Sequence, residues 1–346
     1  MPTKGRRVLV TGGTGSLGGA LVHRMLVDDS LLPETITVFS RGEARQDEMR
    51  HRYLDAAFNR DSELRARGSR VLRFRIGDTR DYSAVTQSVR EADIVIHAAG
   101  LKQVPTCEEH PLEAVLTNVL GANNIIRAVL EQDAVPEVVV AISTDKACEP
   151  VNAMGMSKAL MERLFVAAST RAVRTRLACV RYGNVLASRG SVIPLFRKQI
   201  ANGGPVTLTD REMTRFLVPM ATAVNAVLAT IEQARPGETF VPMSPSSRIA
   251  DIASLMVGDR SIEVMATGTR PGEKVHETLI SLEESRRTAK RADYLVILPP
   301  SAARPPQREH AAPVGPVTSN DRPLAVGELE AYLRNNEILT DTESPI

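Results

Sequence analysis

The chain has 346 residues with 43 basic and 41 acidic side chains, a net charge of +2, and 3% aromatic residues. That balance excludes the basic stripe and stacking platforms of a nucleic-acid binder, and 43% apolar content at this length fits a globular enzyme with a large core domain and a smaller one. Cys107, Cys148 and Cys179 are too few and scattered for a disulfide framework, the six histidines lack metal-ligand spacing, and no signal peptide or membrane-length apolar run is evident, so a cytoplasmic protein with no metal and no membrane contact is expected.

From the N-terminus, the β-branched run Arg7 to Thr11 predicts a strand. Thr11-Gly12-Gly13-Thr14-Gly15-Ser16-Leu17-Gly18 follows it and opens a helix expected over Ser16 to Val27. Strand, turn and helix in that order are the setting of a dinucleotide fingerprint. Gly12, Gly15 and Gly18 allow the tight turn, the approach of a pyrophosphate to backbone N–H groups, and close packing of helix on sheet. Thr14, Ser16 and Leu17 belong to the same cofactor turn.

A second strand, Ile36 to Ser40, ends in Ser40 and Arg41 where an NAD site usually offers an acid to the ribose 2′-hydroxyl. A guanidinium there suits a 2′-phosphate, so NADP is expected rather than NAD; a solvated surface arginine is the other reading. After a helix over Arg45 to Phe58, the strand Val71 to Ile76 leads to Gly77-Asp78-Thr79, placed to cover an adenine. The strand Ile94 to Ala98 leads to Ala98-Ala99-Gly100-Leu101-Lys102, placed to line the nicotinamide side.

A helix over Leu112 to Gln132, a strand Val138 to Ser143, a helix Ala153 to Ala172 and a strand Arg176 to Tyr182 follow. Six strands in this rhythm predict an α/β protein with a Rossmann-type doubly wound parallel sheet over residues 1–185. Beyond Tyr182 the pattern loosens. A short helix Pro194 to Ala201, a strand Met213 to Val218 and a helix Thr222 to Ala234 predict a smaller α/β substrate-binding lobe over 186–300, with some later segments returning to the first domain. Residues 301–323, rich in Pro, Ala, Arg and Ser, read as flexible, within a tail over 301–346 that ends in a helix Ala325 to Asn335.

The chemistry-bearing motifs are His97 to Pro105, Ser143-Thr144-Asp145-Lys146-Ala147, Met154-Gly155-Met156-Ser157-Lys158, Arg181-Tyr182-Gly183-Asn184-Val185, Ser188 to Pro194, Thr209-Asp210 with Met213-Thr214-Arg215-Phe216, and Arg270 to Glu277. With the glycine turn, they make the chain resemble the extended short-chain dehydrogenases. More narrowly, it is similar to the UDP-N-acetylglucosamine 4,6-dehydratases of bacterial polysaccharide and flagellin-sugar pathways, over roughly residues 5 to 300. Met154 stands where such enzymes keep a catalytic tyrosine, four residues before Lys158. A thioether accepts no proton. The family keeps either Tyr or Met there, so the resemblance is to the Met branch, in its soluble rather than membrane-anchored form.

The resemblance implies oxidation of the hexose at C4 by the cofactor, loss of water across C5 and C6, and return of the hydride to C6. It implies that Thr144 bonds the C4 oxygen, Asp145 protonates the leaving C6 hydroxyl, Lys146 takes the C5 proton and Lys158 binds the nicotinamide ribose. Lys146 must be neutral to act as a base, so its pKa is expected to be depressed by burial or a nearby positive charge. Asp145 and Lys146 also fit a structural ion pair, and Met154, Met156 and Met161 also fit core packing. Lys102, Tyr182, Asn184, Val192, Thr209, Arg215, Arg270 and Glu273 fall at substrate-binding positions. Among them, Arg215 and Arg270 would neutralise a pyrophosphate and Glu273 would meet a ribose hydroxyl.

The partner so implied is UDP-N-acetylglucosamine or a close UDP-hexosamine, with C5 inversion favoured, in a homo-oligomer. The same hydride shuttle also serves a UDP-hexosamine epimerase, a retaining 4,6-dehydratase or a 5,6-dehydratase. A different class is a non-catalytic NADP-binding regulator, suggested by Met154, which has little need of Asp145, Lys146 and the Arg270 to Glu277 block.

Overall fold

The computed structural model describes residues 2–132, 135–301 and 315–339. Its centre is a nine-stranded sheet. The first six strands are β1 (Arg7–Thr11), β2 (Thr35–Ser40), β3 (Leu72–Ile76), β4 (Ile94–His97), β5 (Val138–Ile142) and β6 (Arg176–Val180). They lie in the order β3-β2-β1-β4-β5-β6 and are all parallel, the doubly wound arrangement the sequence predicts. Beyond β6 the sheet gains Thr239–Pro242 in parallel, then Tyr294–Ile297 and Thr288–Arg291 in antiparallel, three strands the sequence reading does not single out.

Strand alternation sorts the core into two layers. Val8, Val10, Ile94, Ile96, Val138 and Val140 pack on α1 (Ser16–Val27) and the Met220–Gln233 helix. Leu9, Val95, Val139 and Ala141 face the Tyr82–Arg90, Gly121–Glu131 and Ala153–Ser169 helices. Both faces are covered, so these strands read as nearly continuous apolar runs. Each fully buried branched or aromatic side chain, such as Ile96 or Phe165, contributes about 1.5–3 kcal/mol.

The helix expected over Leu112 to Gln132 is continuous but not regular. Pro111–Ala114 runs into a π-helical turn, Val115–Leu120, before Gly121–Glu131 resumes the α-helix. Two close packings accompany that wider turn. Asn118 bonds the loop after β4, and a Cβ on Gly121 would sit 2.7 Å from Thr79 Oγ1.

A third apolar cluster gathers Ile193, Phe196, Leu217, Ile252 and Met256 with Leu329 and Leu333 of the Val326–Asn335 helix. Of the segment read as flexible, residues 302–314 lie outside the described residues. Val317–Thr318, further along it, pairs with Thr278–Ile280, and Ser319 is fully buried. Among the described residues no helix is long and apolar enough to cross a membrane.

Candidate functional site

Strand order reverses between β1 and β4, so a crevice opens at their carboxyl ends. The glycine turn lies there. Gly12 has φ +67°, and a Cβ on it would meet Ala99 N at 2.7 Å; one on Gly18 would meet Gly12 O at 2.5 Å and Gly13 Cα at 2.6 Å. Gly15 caps α1 without a side-chain bond, leaving the first-turn N–H groups free of a side-chain cap. A backbone cradle at an uncapped helix N-terminus fits the pyrophosphate of a dinucleotide. Gly18→Ala is expected to push helix from turn, lowering cofactor affinity at least about tenfold and stability by about 1–3 kcal/mol. Calorimetric titration with NADP and with NAD checks this, and wild-type affinity for its cofactor would refute it.

At the end of β2, Ser40 Oγ accepts from Gln46 Nε2 at 3.0 Å and from Thr14 Oγ1 at 3.3 Å. Arg41 is not isolated. Its guanidinium lies 3.5 Å from Asp78, which Arg80 also grips at 2.7 Å. Burial alone would raise the Asp78 pKa, but hydrogen bonds from Arg80 and the charges of Arg80 and Arg41 hold it below the usual carboxylate value. Thr79 is buried beside it, its carbonyl accepting from Asn124 at 2.9 Å.

Ala98 and Ala99 follow β4 against Gly12, and Ala99 N donates to Thr11 Oγ1 at 3.3 Å. His97 is fully buried, its Nδ1 2.9 Å from Thr11 Oγ1 and its Nε2 unpartnered; burial and then the Lys158 charge push its pKa down to about 3, so the ring is neutral. Gly100 leaves room for two site groups. A Cβ there would sit 2.9 Å from Asn118 Oδ1 and 3.1 Å from Lys158 Nζ. Lys158 donates to Ile142 O at 2.8 Å, and burial pushes it down to about 8. Asn118 accepts from Leu101 N at 2.7 Å and donates to Ser157 Oγ at 2.9 Å. Met154 is 3% exposed in a small cluster with Cys107 and Ala114, where its thioether packs.

After β5 the chain turns through Asp145–Ala147, capped by Thr144. Asp145 is fully buried; its Oδ1 accepts from Thr144 Oγ1 at 2.9 Å and Lys146 Nζ at 3.1 Å, while Oδ2 has no partner. Lys146 also reaches Glu277 Oε1 at 3.0 Å. The depressed Lys146 pKa expected from sequence is not found. Burial does disfavour its charge, but Asp145 and Glu277 outweigh burial and the more distant Arg215, so the pKa is raised above the ordinary 10.5. It is Lys158 that is depressed.

The expected substrate-side residues divide. Arg215 is buried and spends its guanidinium on Thr214 O, Val275 O, Lys274 O and Met213 Sδ, with Glu277 at 3.8 Å. Arg270 is exposed, and its N–H donates to Glu273 across one turn at 3.3 Å. Asn152, which caps the helix bearing Met154 and Lys158, ties that turn down by donating to Gly272 O at 2.7 Å. Asn184 Oδ1 is buried without a partner. Tyr182 joins the apolar cluster around β1, and its carbonyl accepts from Asp145 N at 3.0 Å. Val192 opens the Val192–Ala201 helix and Thr209 bonds Met213 Sδ, both beside the third cluster. Lys102 donates to Arg189 O, and Arg189 in turn crosses the glycine turn, donating to Thr14 O at 2.5 Å and to Ser16 Oγ at 3.2 Å.

Sequence reasoning did not single out Asn118, Arg189, Glu277 or Ser319. Arg189 and Glu277 lay inside matched motifs; Asn118 and Ser319 lay outside them. Among the described residues no group of His, Cys, Asp and Glu could hold a metal ion.

A model of the polysaccharide biosynthesis protein family matches residues 8–299. UDP-glucose 4-epimerase from Rickettsia canadensis is 43% identical over 295 residues, covering 84% of this chain and 82% of the relative. The structure of Pen from Bacillus thuringiensis superposes with a TM-score of 0.87 at 32% identity, covering 98% of this chain and all of that one. The dTDP-glucose 4,6-dehydratase DesIV from Streptomyces venezuelae, solved with NAD bound, shares the fold at a TM-score of 0.64 and 21% identity, covering 78% of this chain and 86% of its own.

Proposed function

The chain belongs to the polysaccharide biosynthesis protein family, and from that membership and the site we propose that it is an NADP-dependent UDP-N-acetylglucosamine 4,6-dehydratase. The product is a UDP-4-keto-6-deoxy-N-acetylhexosamine, with inversion at C5. One observation carries the reading: Lys146, half-buried, lies against the fully buried Asp145 at the carboxyl end of β5, with an unpartnered Asp145 oxygen. A carboxyl and an amine that share a proton suit the loss of water across C5 and C6. A site that only moves a hydride at C4 has no use for both.

A bound nicotinamide supplies the temporary oxidation at C4 that makes the C5 proton acidic. Asp145 must carry a proton to release the C6 hydroxyl as water, and Lys146 must be neutral to take the C5 proton. Passage of the Lys146 proton to Asp145 Oδ1, across 3.1 Å, creates both forms with no third donor. Thr144, which holds Asp145, orients the C4 oxygen. With Met154 unable to accept the C4 hydroxyl proton, Lys158, pushed down to about 8, suits a relay near neutral pH. Ser40 and Arg41 support NADP, and Glu273 and Arg270, pinned to the helix bearing Lys158, support a UDP-sugar partner.

The names of the 43%-identical relatives favour a second reading, a UDP-sugar 4-epimerase. Incubation with UDP-N-acetylglucosamine in heavy water, with NADP or NAD, separates the two by NMR. Dehydration gives a C6 methyl group and deuterium at C5, more rapidly with NADP. A C4 epimer with neither feature would replace this reading by the second.

A further inference from the structure

The Lys146 ammonium has two carboxylate partners, and only Asp145 is its neighbour in sequence. The second, Glu277, arrives from the far end of the Arg270 to Glu277 block. Its side chain is 2% exposed; Oε1 lies 3.0 Å from Lys146 Nζ, and Oε2 is buried with no partner. An anion at such burial is retained only where cations face it. Lys146 and, at 3.8 Å, Arg215 are those cations.

The Glu277 backbone is fixed by a segment beyond the family match. Its N–H donates to Ser319 Oγ at 2.9 Å, and Ser319 N donates back to Glu277 O at 2.8 Å. Ser319 Oγ also sits 2.6 Å from Thr214 Oγ1, on the strand that carries Arg215. Other charged or titratable groups near Glu277 are engaged elsewhere: His276 Nδ1 meets Thr214 Oγ1 at 2.9 Å, Glu149 accepts from Thr278 Oγ1 at 3.3 Å, and Lys274 donates to Cys148 O at 2.7 Å.

We infer that Glu277 is a positioning residue for Lys146: locked by Ser319 and countered by Arg215, it aims the Nζ group at Asp145 and sets how tightly the lysine holds its proton. The inference rests on the dehydratase reading for its catalytic consequence, but the Lys146–Glu277 contact can be tested without turnover. An opposite charge this close shifts a pKa by about one to three. Removing it must therefore move Lys146 downward.

Competitive labelling of the whole protein with acetic anhydride across pH, read on the Lys146 peptide by mass spectrometry, is the direct test. In the wild type, half-maximal labelling of Lys146 should fall above the ordinary lysine value of 10.5. In Glu277→Gln it should fall lower by at least about one pH unit, and in Glu277→Asp, which withdraws the carboxylate, by less. A wild-type Lys146 that reacts like a surface lysine, or an unchanged profile in either folded variant, overturns the inference.

With UDP-N-acetylglucosamine, Glu277→Gln should lower kcat about 10–100-fold, leave KM within about threefold, and move the basic limb of kcat to lower pH, because the pair of Lys146 and Asp145 loses its shared proton more readily. A lower kcat with an unmoved limb would also overturn it. If the wild type dehydrates nothing, the functional reading fails while the labelling still decides the role of Glu277.

Discussion

Asp145→Asn is expected to cut formation of the dehydrated product by about 10²–10⁴-fold, the range for loss of a positioned general acid. The substitution is nearly isosteric. The amide oxygen can keep the bonds from Thr144 Oγ1 and Lys146 Nζ, and Lys146 keeps Glu277. The protein should fold and bind cofactor normally, because the glycine turn and Lys158 are untouched. What disappears is the group that turns the C6 hydroxyl into water. Oxidation at C4, with Lys158 relaying the hydroxyl proton, does not need Asp145, and without the Asp145 charge Lys146 gives up its proton to solvent more readily, so recovered UDP-N-acetylglucosamine should gain deuterium at C5 in heavy water without losing its C6 oxygen.

Lys146→Met should abolish both events, since it removes the group that takes the C5 proton. It also leaves Asp145 and Glu277 buried without their shared cation. Product formation by Asp145→Asn near the wild-type rate would remove Asp145 from the acid role. C5 exchange that persists in Lys146→Met would assign the base to another group, with Lys158 first in line.

The separation of these roles shows what a linear chain discloses. β1, α1 and the glycine turn were legible because each is a local pattern: alternation, helical spacing, and three glycines at fixed intervals. Thr144, Asp145 and Lys146 were legible because a strand end in such a sheet faces the ligand crevice. The sign of the Lys146 shift was not legible. It depends on Asp145 and on Glu277, far along the chain, whose carboxylates together outweigh the desolvation that sequence reasoning considered. Asn118 escaped notice for a similar reason, since a π turn inside an apolar helix leaves no periodic mark and reveals itself only by the bonds it makes across the site. Arg215 ran the other way. Its motif suggested a ligand, yet its donors are directed at backbone carbonyls, a burial that residue type alone does not encode.

The largest stability effect is expected at Arg181, the first residue after β6. Its guanidinium is 3% exposed and holds Glu162 at 3.0 and 2.6 Å, Glu284 at 2.9 and 2.8 Å, and Leu279 O at 2.8 Å. Those bonds join the helix that carries Lys158 to the Leu282–Ser285 turn. Arg181→Met leaves two buried carboxylates without their cation and should cost about 3–5 kcal/mol at pH 7. Burial would raise the Glu284 carboxyl, but Arg181 and the Ser281 N–H overcome it and hold the group at about 2 against an ordinary 4.5. That difference corresponds to roughly 3 kcal/mol at neutral pH.

Because the folded value is the lower one, this stability is fully present above about 4.5 and is lost as pH falls toward about 2. Urea unfolding between these limits should show a falling midpoint in the wild type and a flatter or reversed trend in Arg181→Met, where a protonated Glu284 is the better-tolerated form. Replacing Arg181, Glu162 and Glu284 together by Met, Leu and Leu should restore much of the loss, since apolar packing can substitute for a buried ion cluster while a half-broken one cannot be tolerated. If Arg181→Met unfolds at the wild-type urea midpoint at pH 7, the cluster does not hold the Lys158 helix to the rest of the fold.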